Sequence, residues 1–142
     1  FRYFGNGLAD DAPHYWVVDF ASRKNLLTLP YFYPSDDRFF LMFPAEGTGL
    51  ERPDVLLRNW RTEFAAQYRR CRYFSLTVSP ARSGWGHRFA NLESFLVEAT
   101  ALPGLWNATS AQVAKHWTSV HPAETHLKLE PSIWRSHDGS LD

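Results

Sequence analysis

The alternation of short apolar runs with longer amphipathic segments constrains the fold of this chain more than any other feature of its sequence. Short strands that alternate with helices are typical of a parallel α/β fold and argue against an all-β fold. After a first aromatic strand near the N-terminus, the predicted elements are a strand at 25–30, a helix at 54–70, a strand at 73–78, a helix at 89–100, a strand at 105–107 and a helix from 109.

Two of the predicted helices have the clearest local signals. Trp60, Phe64 and Tyr68 recur at a spacing of four residues, which places them on one face of a helix. Thr109 and Gln112 have the spacing of a capping box, in which each side chain accepts a hydrogen bond from the other residue's backbone N–H. We therefore expect the last helix to begin directly after Thr109.

The composition supports a folded chain and excludes several classes of partner. Hydrophobic residues make up 44% of the 142 positions, which is enough for a packed core. Fifteen basic residues balance 15 acidic ones, so we expect no binding to nucleic acid or to a membrane surface. No apolar run approaches the roughly 20 residues of a membrane span and we find no signal peptide, so we expect a cytoplasmic protein. Cys71 is the single cysteine, which excludes a disulfide framework, and we expect it to be structural at the start of a strand.

The number of elements predicts an incomplete unit. We assign residues 1–121 to one domain and residues 122–142 to a C-terminal tail or arm, because the chain becomes polar and irregular after His121. Three helices and four strands are too few to cover both faces of a parallel sheet. An open half-barrel would leave strand edges exposed, so the sequence predicts that a partner completes the fold.

Two adjacent aspartates follow a proline and a serine in the middle of the chain. Asp36 and Asp37 come directly after Pro34 and Ser35, a pattern typical of a turn. We expect the aspartates to cap the next segment, with Arg38 paired to one of them.

Four segments, in order and with compatible spacing, resemble one known family. "FRYFGNGLADDAPHYWV" is similar to the family pattern F-x-Y-D-S-x-x-x-x-D-D-x-P-Y-x-W, and "LTLPYFYPSDDRFF" is similar to the segment that follows it. "FSLTVSPARSGWGHR" resembles the last family motif, L-x-L-H-P-x-x-S-G-R-P-x-R, and "LWNATSAQVAKHW" resembles the closing strand and helix. The family is that of the polysaccharide-deacetylase-like (NodB-homology) proteins, and the nearest branch is that of cofactor-independent allantoinases and cyclic imide hydrolases.

The resemblance implies a fold and a missing half. The family fold is a distorted (β/α) barrel with its site at the carboxyl ends of the strands, and this chain resembles the C-terminal half. The family's catalytic aspartate pair, its H-x-x-x-H metal segment and its arginine motif would lie before Phe1, and we find none of them here. We therefore expect no metal site or cofactor in this chain, and a divalent metal only if a partner supplies the ligands. The expected partners are a second polypeptide or fragment carrying the N-terminal half, and a small-molecule ligand.

The departures from the family pattern bear on catalysis. The motif histidine, which the resemblance implies is a general acid, aligns with Ser79, and the motif aspartate aligns with Phe4. Serine does not titrate near neutral pH, and loss of a general acid costs about 10²–10⁴ in rate. His87 is the nearest titratable replacement, although a histidine at the start of a helix is also an ordinary surface residue. Ser79 and His87 are the candidate catalytic residues.

Five residues are candidates for binding a substrate, and each has a structural alternative. Asp10 and Asp11 lie in a loop, where aspartates commonly bind backbone amides. Tyr15 and Trp16 either wall a pocket or pack in the core. Trp85 either lines a pocket mouth or covers a helix.

Two classes of function remain open. In the first, the chain is one subunit of a composite barrel that acts on a carbon–nitrogen bond of a small amide, a cyclic imide or a related molecule, with altered chemistry. In the second, it is a non-catalytic pseudoenzyme subunit that completes and stabilises a partner's barrel. A cleaved half of one longer chain would have the same sequence features.

Overall fold

The structure is a computed structural model that describes residues 1–19, 22, 24–41 and 52–126. The chain divides into two compact units. We call Phe1–Pro30 with Ala108–Asp142 the sheet unit, and Tyr31–Asn107 the helical unit. The elements are β1 (Tyr3–Gly7), β2 (His14–Asp19), β3 (Lys24–Pro30), a 3₁₀ turn (Tyr33–Ser35), α1 (Asp37–Leu41), α2 (Pro53–Arg69), α3 (Pro80–Ser83), α4 (Gly86–Thr100), α5 (Ser110–Val120) and α6 (Ala123–His126).

The sheet unit is built on three strands in the order β1-β3-β2. β3 lies at the centre, parallel to β1 and antiparallel to β2. Its central position explains its apolar sequence, because Leu27 and Leu29 are 2% and 1% exposed. The prediction of a strand at 25–30 is confirmed.

The helical unit has an aromatic core. Trp60 and Phe64 lie one turn apart on α2, and their rings contact the ring of Phe95 on α4 at centroid distances of 5.7 Å and 5.6 Å. Trp60 is 1% exposed, and Tyr68 packs against the same cluster from the last turn of α2. The predicted helices at 54–70 and 89–100 are confirmed as α2 and α4, with ends that differ by at most three residues.

The predicted alternation of strands and helices is only partly correct. Residues 73–78 form no regular strand; within the described ranges they make a single parallel bridge, between Thr77 and Asp36. The reason lies in the neighbouring segment, which curls into the 3₁₀ turn at Tyr33–Ser35 and cannot continue a ladder. Residues 105–107 likewise form no strand. The antiparallel strand β2 has no counterpart in the predicted order.

The C-terminal part of the described chain contains two helices. Thr109 and Gln112 form the predicted capping box and begin α5. The four-residue helix α6 lies in the segment predicted to be an irregular tail, of which residues 127–142 lie outside the described residues. The predicted boundary after residue 121 remains a prediction. Of the helices described, none combines the length and apolar character needed to cross a bilayer.

Candidate functional site

A pair of buried carboxylates organises the region around the predicted active-site loop. The 3₁₀ turn at Tyr33–Ser35 directs the chain alongside Thr77, and the backbone N–H of Asp37 donates to the Thr77 carbonyl at 3.1 Å. Asp36 and Asp37 are 1% and 0% exposed. Because a buried carboxylate is costly unless it accepts hydrogen bonds, the partners of each one show what the pair does.

Asp36 holds the turn together. Its carboxylate accepts hydrogen bonds from the Tyr31 hydroxyl, from the backbone N–H of Arg38 at 2.6 Å and from the Arg38 guanidinium at 2.9 Å. Burial raises the pKa of the Asp36 carboxyl, but the hydrogen bonds from Tyr31 and Arg38 outweigh burial and hold that pKa below its usual range. The predicted pairing of Arg38 with one aspartate is confirmed.

Asp37 anchors the segment that begins at Ser79. One oxygen of its carboxylate, Oδ2, accepts both the backbone N–H of Ser79 at 2.7 Å and the hydroxyl of Ser83 at 2.6 Å. The other oxygen, Oδ1, is buried and has no hydrogen-bond partner among the described residues. A carboxylate with two charge-assisted hydrogen bonds fixes the start of this segment, residues 79–85, which we call the Ser79 segment.

Ser79 is the N-cap of α3. Its backbone is extended, with φ −108° and ψ 122°, and its carbonyl accepts the N–H groups of Arg82 and Ser83, both at 2.9 Å. Within the described structure its hydroxyl makes no capping hydrogen bond to that helix. The backbone of Ser79 is therefore held from both sides, while its side chain is not used by the helix.

Trp85 and His87 lie at the junction of α3 and α4. Trp85 is the N-cap of α4, is 66% exposed, and its indole N–H donates to the Ala81 carbonyl at 3.0 Å. His87 is exposed in the first turn of α4. The structure thus places Ser79, Trp85 and His87 within one continuous segment, and their roles in catalysis and binding remain predictions.

Asp10 and Asp11 lie in the loop between β1 and β2 of the sheet unit. The Asp10 carboxylate accepts the backbone N–H groups of Asp11 at 2.7 Å and Ala12 at 3.3 Å. The hydrogen bond from the Asp11 backbone is the main reason that the pKa of Asp10 lies below its usual value. The geometry of Asp10 fits the turn-forming alternative weighed from the sequence.

Tyr15 and Trp16 are neighbours on β2 and point to opposite faces of the sheet. The Tyr15 hydroxyl donates to the His121 carbonyl at 2.6 Å, and burial raises the pKa of this hydroxyl, with a further contribution from the Glu124 charge. Trp16 is 55% exposed and lines a cavity on the other face. Tyr15 thus holds the chain after α5, while Trp16 is half-exposed at the cavity, and its role in binding remains a prediction.

That cavity, which we call the sheet cavity, has a volume of about 580 Å³. Its walls are mainly apolar, with Phe4 from β1, Trp16 and Val18 from β2, and Leu26 from β3. Phe4 stands where the resemblance places the motif aspartate, so a benzene ring replaces an expected carboxylate at this surface. The sheet cavity is therefore suited to contact with apolar groups and not to binding a cation.

Sequence reasoning missed three polar residues of these regions. Asp37 was expected only to cap a turn, yet it binds a segment 42 residues further along the chain. His14 and Thr28 face each other across β2 and β3, and the pairing of distant strands is not visible in local sequence. One signal was available for His14, since the family pattern quoted above has tyrosine at its position.

The described residues offer no obvious metal centre. In the parts of the chain that the structure describes, no group of three or more His, Cys, Asp or Glu side chains is placed to hold a metal ion. The donor set of the described residues does not fit the divalent metal that the fold family implies.

Comparison with known proteins supports the resemblance. The crystal structure of a Mycobacterium smegmatis protein, provisionally named a polysaccharide deacetylase, matches 83% of this chain with a TM-score of 0.73 and 30% identity. The chain is polysaccharide-deacetylase-like. A Schizosaccharomyces pombe protein with the same provisional name is 28% identical over 125 residues, which cover 80% of this chain. No protein-family model matches the sequence.

Two further solved structures share this NodB-like fold. Puue allantoinase matches 86% of the chain with a TM-score of 0.74 and 22% identity. A Pseudomonas aeruginosa PAO1 protein, also provisionally named a polysaccharide deacetylase, matches 84% with a TM-score of 0.72 and 23% identity. At these identities the likeness shows the fold alone. The chain spans 38% of the length of the S. pombe protein and 40–41% of the solved structures.

Proposed function

We propose that this chain is the substrate-facing half of a polysaccharide-deacetylase-like barrel that acts on a carbon–nitrogen bond of a small amide, a cyclic imide or a related molecule. The rest of the barrel would come from a second polypeptide or from another segment of a longer protein. Support comes from the names of the similar proteins and from the two fifths of their length that the chain spans.

The observation that carries this proposal is the anchoring of the Ser79 segment by Asp37. A carboxylate that is 0% exposed, with two short hydrogen bonds to Ser79 and Ser83, holds the backbone where the resemblance places the last catalytic motif. Reactive groups must be held within a fraction of an ångström of their working geometry, and buried supporting hydrogen bonds provide this. A segment with a positioning role requires such a support.

The proposed roles of the residues in and next to the Ser79 segment follow from side-chain chemistry. The Ser79 hydroxyl can donate or accept a hydrogen bond but cannot act as a general acid at neutral pH, so it would orient the substrate. An imidazole is the side-chain group most often used for proton transfer, and His87 is exposed at the start of α4, so it is the proposed proton donor. Trp85 would supply an apolar wall. Any divalent metal would be bound by residues outside this chain.

A second candidate is a non-catalytic subunit that completes and stabilises a partner's barrel. One specific observation favours it: Phe4 replaces the motif aspartate and lines an apolar cavity. With Ser79 in place of the motif histidine, two of the groups that the resemblance implies for catalysis are absent. In this case Asp37 would contribute only to the stability of the fold.

Turnover by the purified assembly separates the two candidates. The purified assembly is the protein that carries the chain, isolated together with any polypeptide that accompanies it. Its intact mass is determined first. We expect hydrolysis of a cyclic imide or a linear amide, a change in the pH–rate profile with His87→Ala, and a higher KM with Ser79→Ala. The exposed residues His116 and Ser119 on α5 provide matched controls, His116→Ala and Ser119→Ala, which should leave both constants unchanged. No turnover of either substrate class would favour the non-catalytic subunit.

A further inference from the structure

Two arginines at the Ser79 segment carry positive charge that no described carboxylate balances. Arg82 lies in α3 and Arg88 in the first turn of α4, and both residues are partly buried. Within the described part of the chain, no ion pair includes either arginine. Burying a charge is costly unless an opposite charge or hydrogen bonds compensate for it, so an anion from outside the described residues is expected here.

The neighbouring acidic residue does not supply that anion. Asp37 contacts this segment, but its Oδ2 atom accepts hydrogen bonds from Ser79 and Ser83. Its Oδ1 atom has no hydrogen-bond partner among the described residues, so neither oxygen binds an arginine there. Residues 79–88 contain no aspartate or glutamate, and the first turn of α4 adds none. The positive charge of the two arginines is therefore not neutralised by their own segment.

The hydrogen bonding of Arg88 positions its guanidinium and leaves one edge of it free. The Nη1 atom donates to the carbonyl oxygen of Arg82 at 3.3 Å, which places the guanidinium at the end of α3. The Nε atom is enclosed and has no partner in the described chain, so it is not offered to a ligand. The Nη2 atom is not enclosed and makes no hydrogen bond to the described residues. Because a neutral carbonyl does not balance the charge, Nη2 remains able to bind a carboxylate oxygen.

We propose that Arg88, with Arg82 beside it, binds the carboxylate of a small amide or imide that carries a negative charge. This inference rests on the proposed function, because it names the substrate class of the same site. The backbone N–H of Arg82 donates to the Ser79 carbonyl at 2.9 Å, so the carboxylate would be held one turn of α3 from Ser79. A short molecule spans that distance, so its amide would lie at Ser79 while Arg88 binds its carboxylate.

Calorimetric titration of the purified assembly with two ketones tests the carboxylate site without requiring turnover. Levulinate ends in a carboxylate, whereas 5-methyl-2-hexanone has an isopropyl group in its place, and neither contains a carbon–nitrogen bond. We expect levulinate to bind roughly tenfold more tightly, and added salt to reduce that preference. Arg88→Gln should weaken levulinate alone and bring the ratio of affinities toward one, and Arg82→Gln should do so in part. Arg69→Gln, at an exposed position in the last turn of α2, is the control and should keep the ratio.

A purely structural role of Arg88 predicts a different result. If an acidic side chain from the rest of the assembly pairs with Arg88, then Arg88→Gln would lower the stability in urea but keep the ratio of affinities, which would overturn the proposal. Arg88→Lys retains the charge and should retain part of the preference for levulinate, so it serves even where Arg88→Gln does not fold. Equal affinities for the two ketones, or binding of neither, would also overturn the proposal. A preference for levulinate that depends on Arg88, in an assembly that turns over no amide or imide, would support the carboxylate site and contradict the catalytic function.

Discussion

The two units of the chain differ in how they use their aromatic and polar side chains. In the helical unit, Trp60 is 1% exposed in a closed aromatic core, and Asp36 and Asp37 each accept at least two hydrogen bonds. In the sheet unit, Phe4 and Trp16 are 49% and 55% exposed on one face.

The difference indicates that the helical unit is a support and that the sheet unit presents an exposed surface. In the helical unit, the buried carboxylate of Asp37 fixes the Ser79 segment, as expected of a residue that supports a site. Among its described residues, the sheet unit has an apolar face and two buried polar atoms without partners, as expected of a surface that another molecule contacts. This distinction predicts different stability losses in the two units, measured by urea unfolding of the purified assembly.

The largest effect should come from removing the core tryptophan. Trp60→Ala removes the packing against Phe95 and a 3.1 Å hydrogen bond to the Ser35 carbonyl, so we expect a loss of about 3–5 kcal/mol in the free energy of unfolding. The matched change Trp16→Ala, on the open face, should cost less than about 1 kcal/mol. Equal losses at the two positions would remove the distinction between the units.

The next largest effect should come from Asp37. Asp37→Ala leaves the Ser79 N–H and the Ser83 hydroxyl buried without their acceptor, so we expect a loss of about 3 kcal/mol. Asp37→Asn keeps one carbonyl oxygen that can accept both hydrogen bonds, and should cost about 1 kcal/mol. If the asparagine variant is as unstable as the alanine variant, the charge itself rather than the hydrogen bonds would hold the segment.

Asp36 should make stability fall in acid. Its pKa is held below the value in the unfolded chain, so its contribution is complete above about pH 4 and is lost as the pH falls through the folded pKa. Asp36→Asn should therefore flatten the decline of the free energy of unfolding below about pH 4. Glu98→Gln is the control: Glu98 pairs with Arg61 on the exposed surface, and its smaller effect should shrink with added salt. An unchanged acid slope in Asp36→Asn would contradict the assigned hydrogen bonds.

A small gain in stability is expected at Cys71. This residue has a φ of +52°, directly after the C-cap of α2, and the N–H groups of Cys71 and Arg72 bond the carbonyls of Tyr68 and Gln67 in a Schellman motif. Cys71→Gly relieves the left-handed strain and should stabilise by about 0.5–1 kcal/mol. Arg70→Gly, one residue earlier at φ −97°, should give no gain. A loss at Cys71→Gly would show that the thiol packs more favourably than its exposed position indicates.

Sequence reasoning worked where a feature depends on residues that are close together in the chain. The helices, the capping box at Thr109 and the pairing of Arg38 with Asp36 depend on residues within four positions of each other, and these predictions are confirmed. Cys71 was expected at the start of a strand, and it lies instead in an exposed helix-ending turn.

What the sequence did not reveal depends on distant partners. The strand at 73–78 failed because its neighbour is a 3₁₀ turn, and the contact of Asp37 with Ser79 spans 42 residues. Predicting that His14 pairs with Thr28 likewise requires knowledge of strand register. The resemblance located the four family segments but did not show which polar side chains the fold would use as supports.

The central claim is that this chain is one part of a larger barrel, and sedimentation with urea unfolding of the isolated 142-residue chain tests it most directly. We expect the isolated chain to self-associate or to unfold without a cooperative transition, because it spans only 40–41% of the solved structures it matches, whereas the purified assembly should unfold cooperatively. A monomeric isolated chain that unfolds in one cooperative transition, as stably as the purified assembly, would contradict the account.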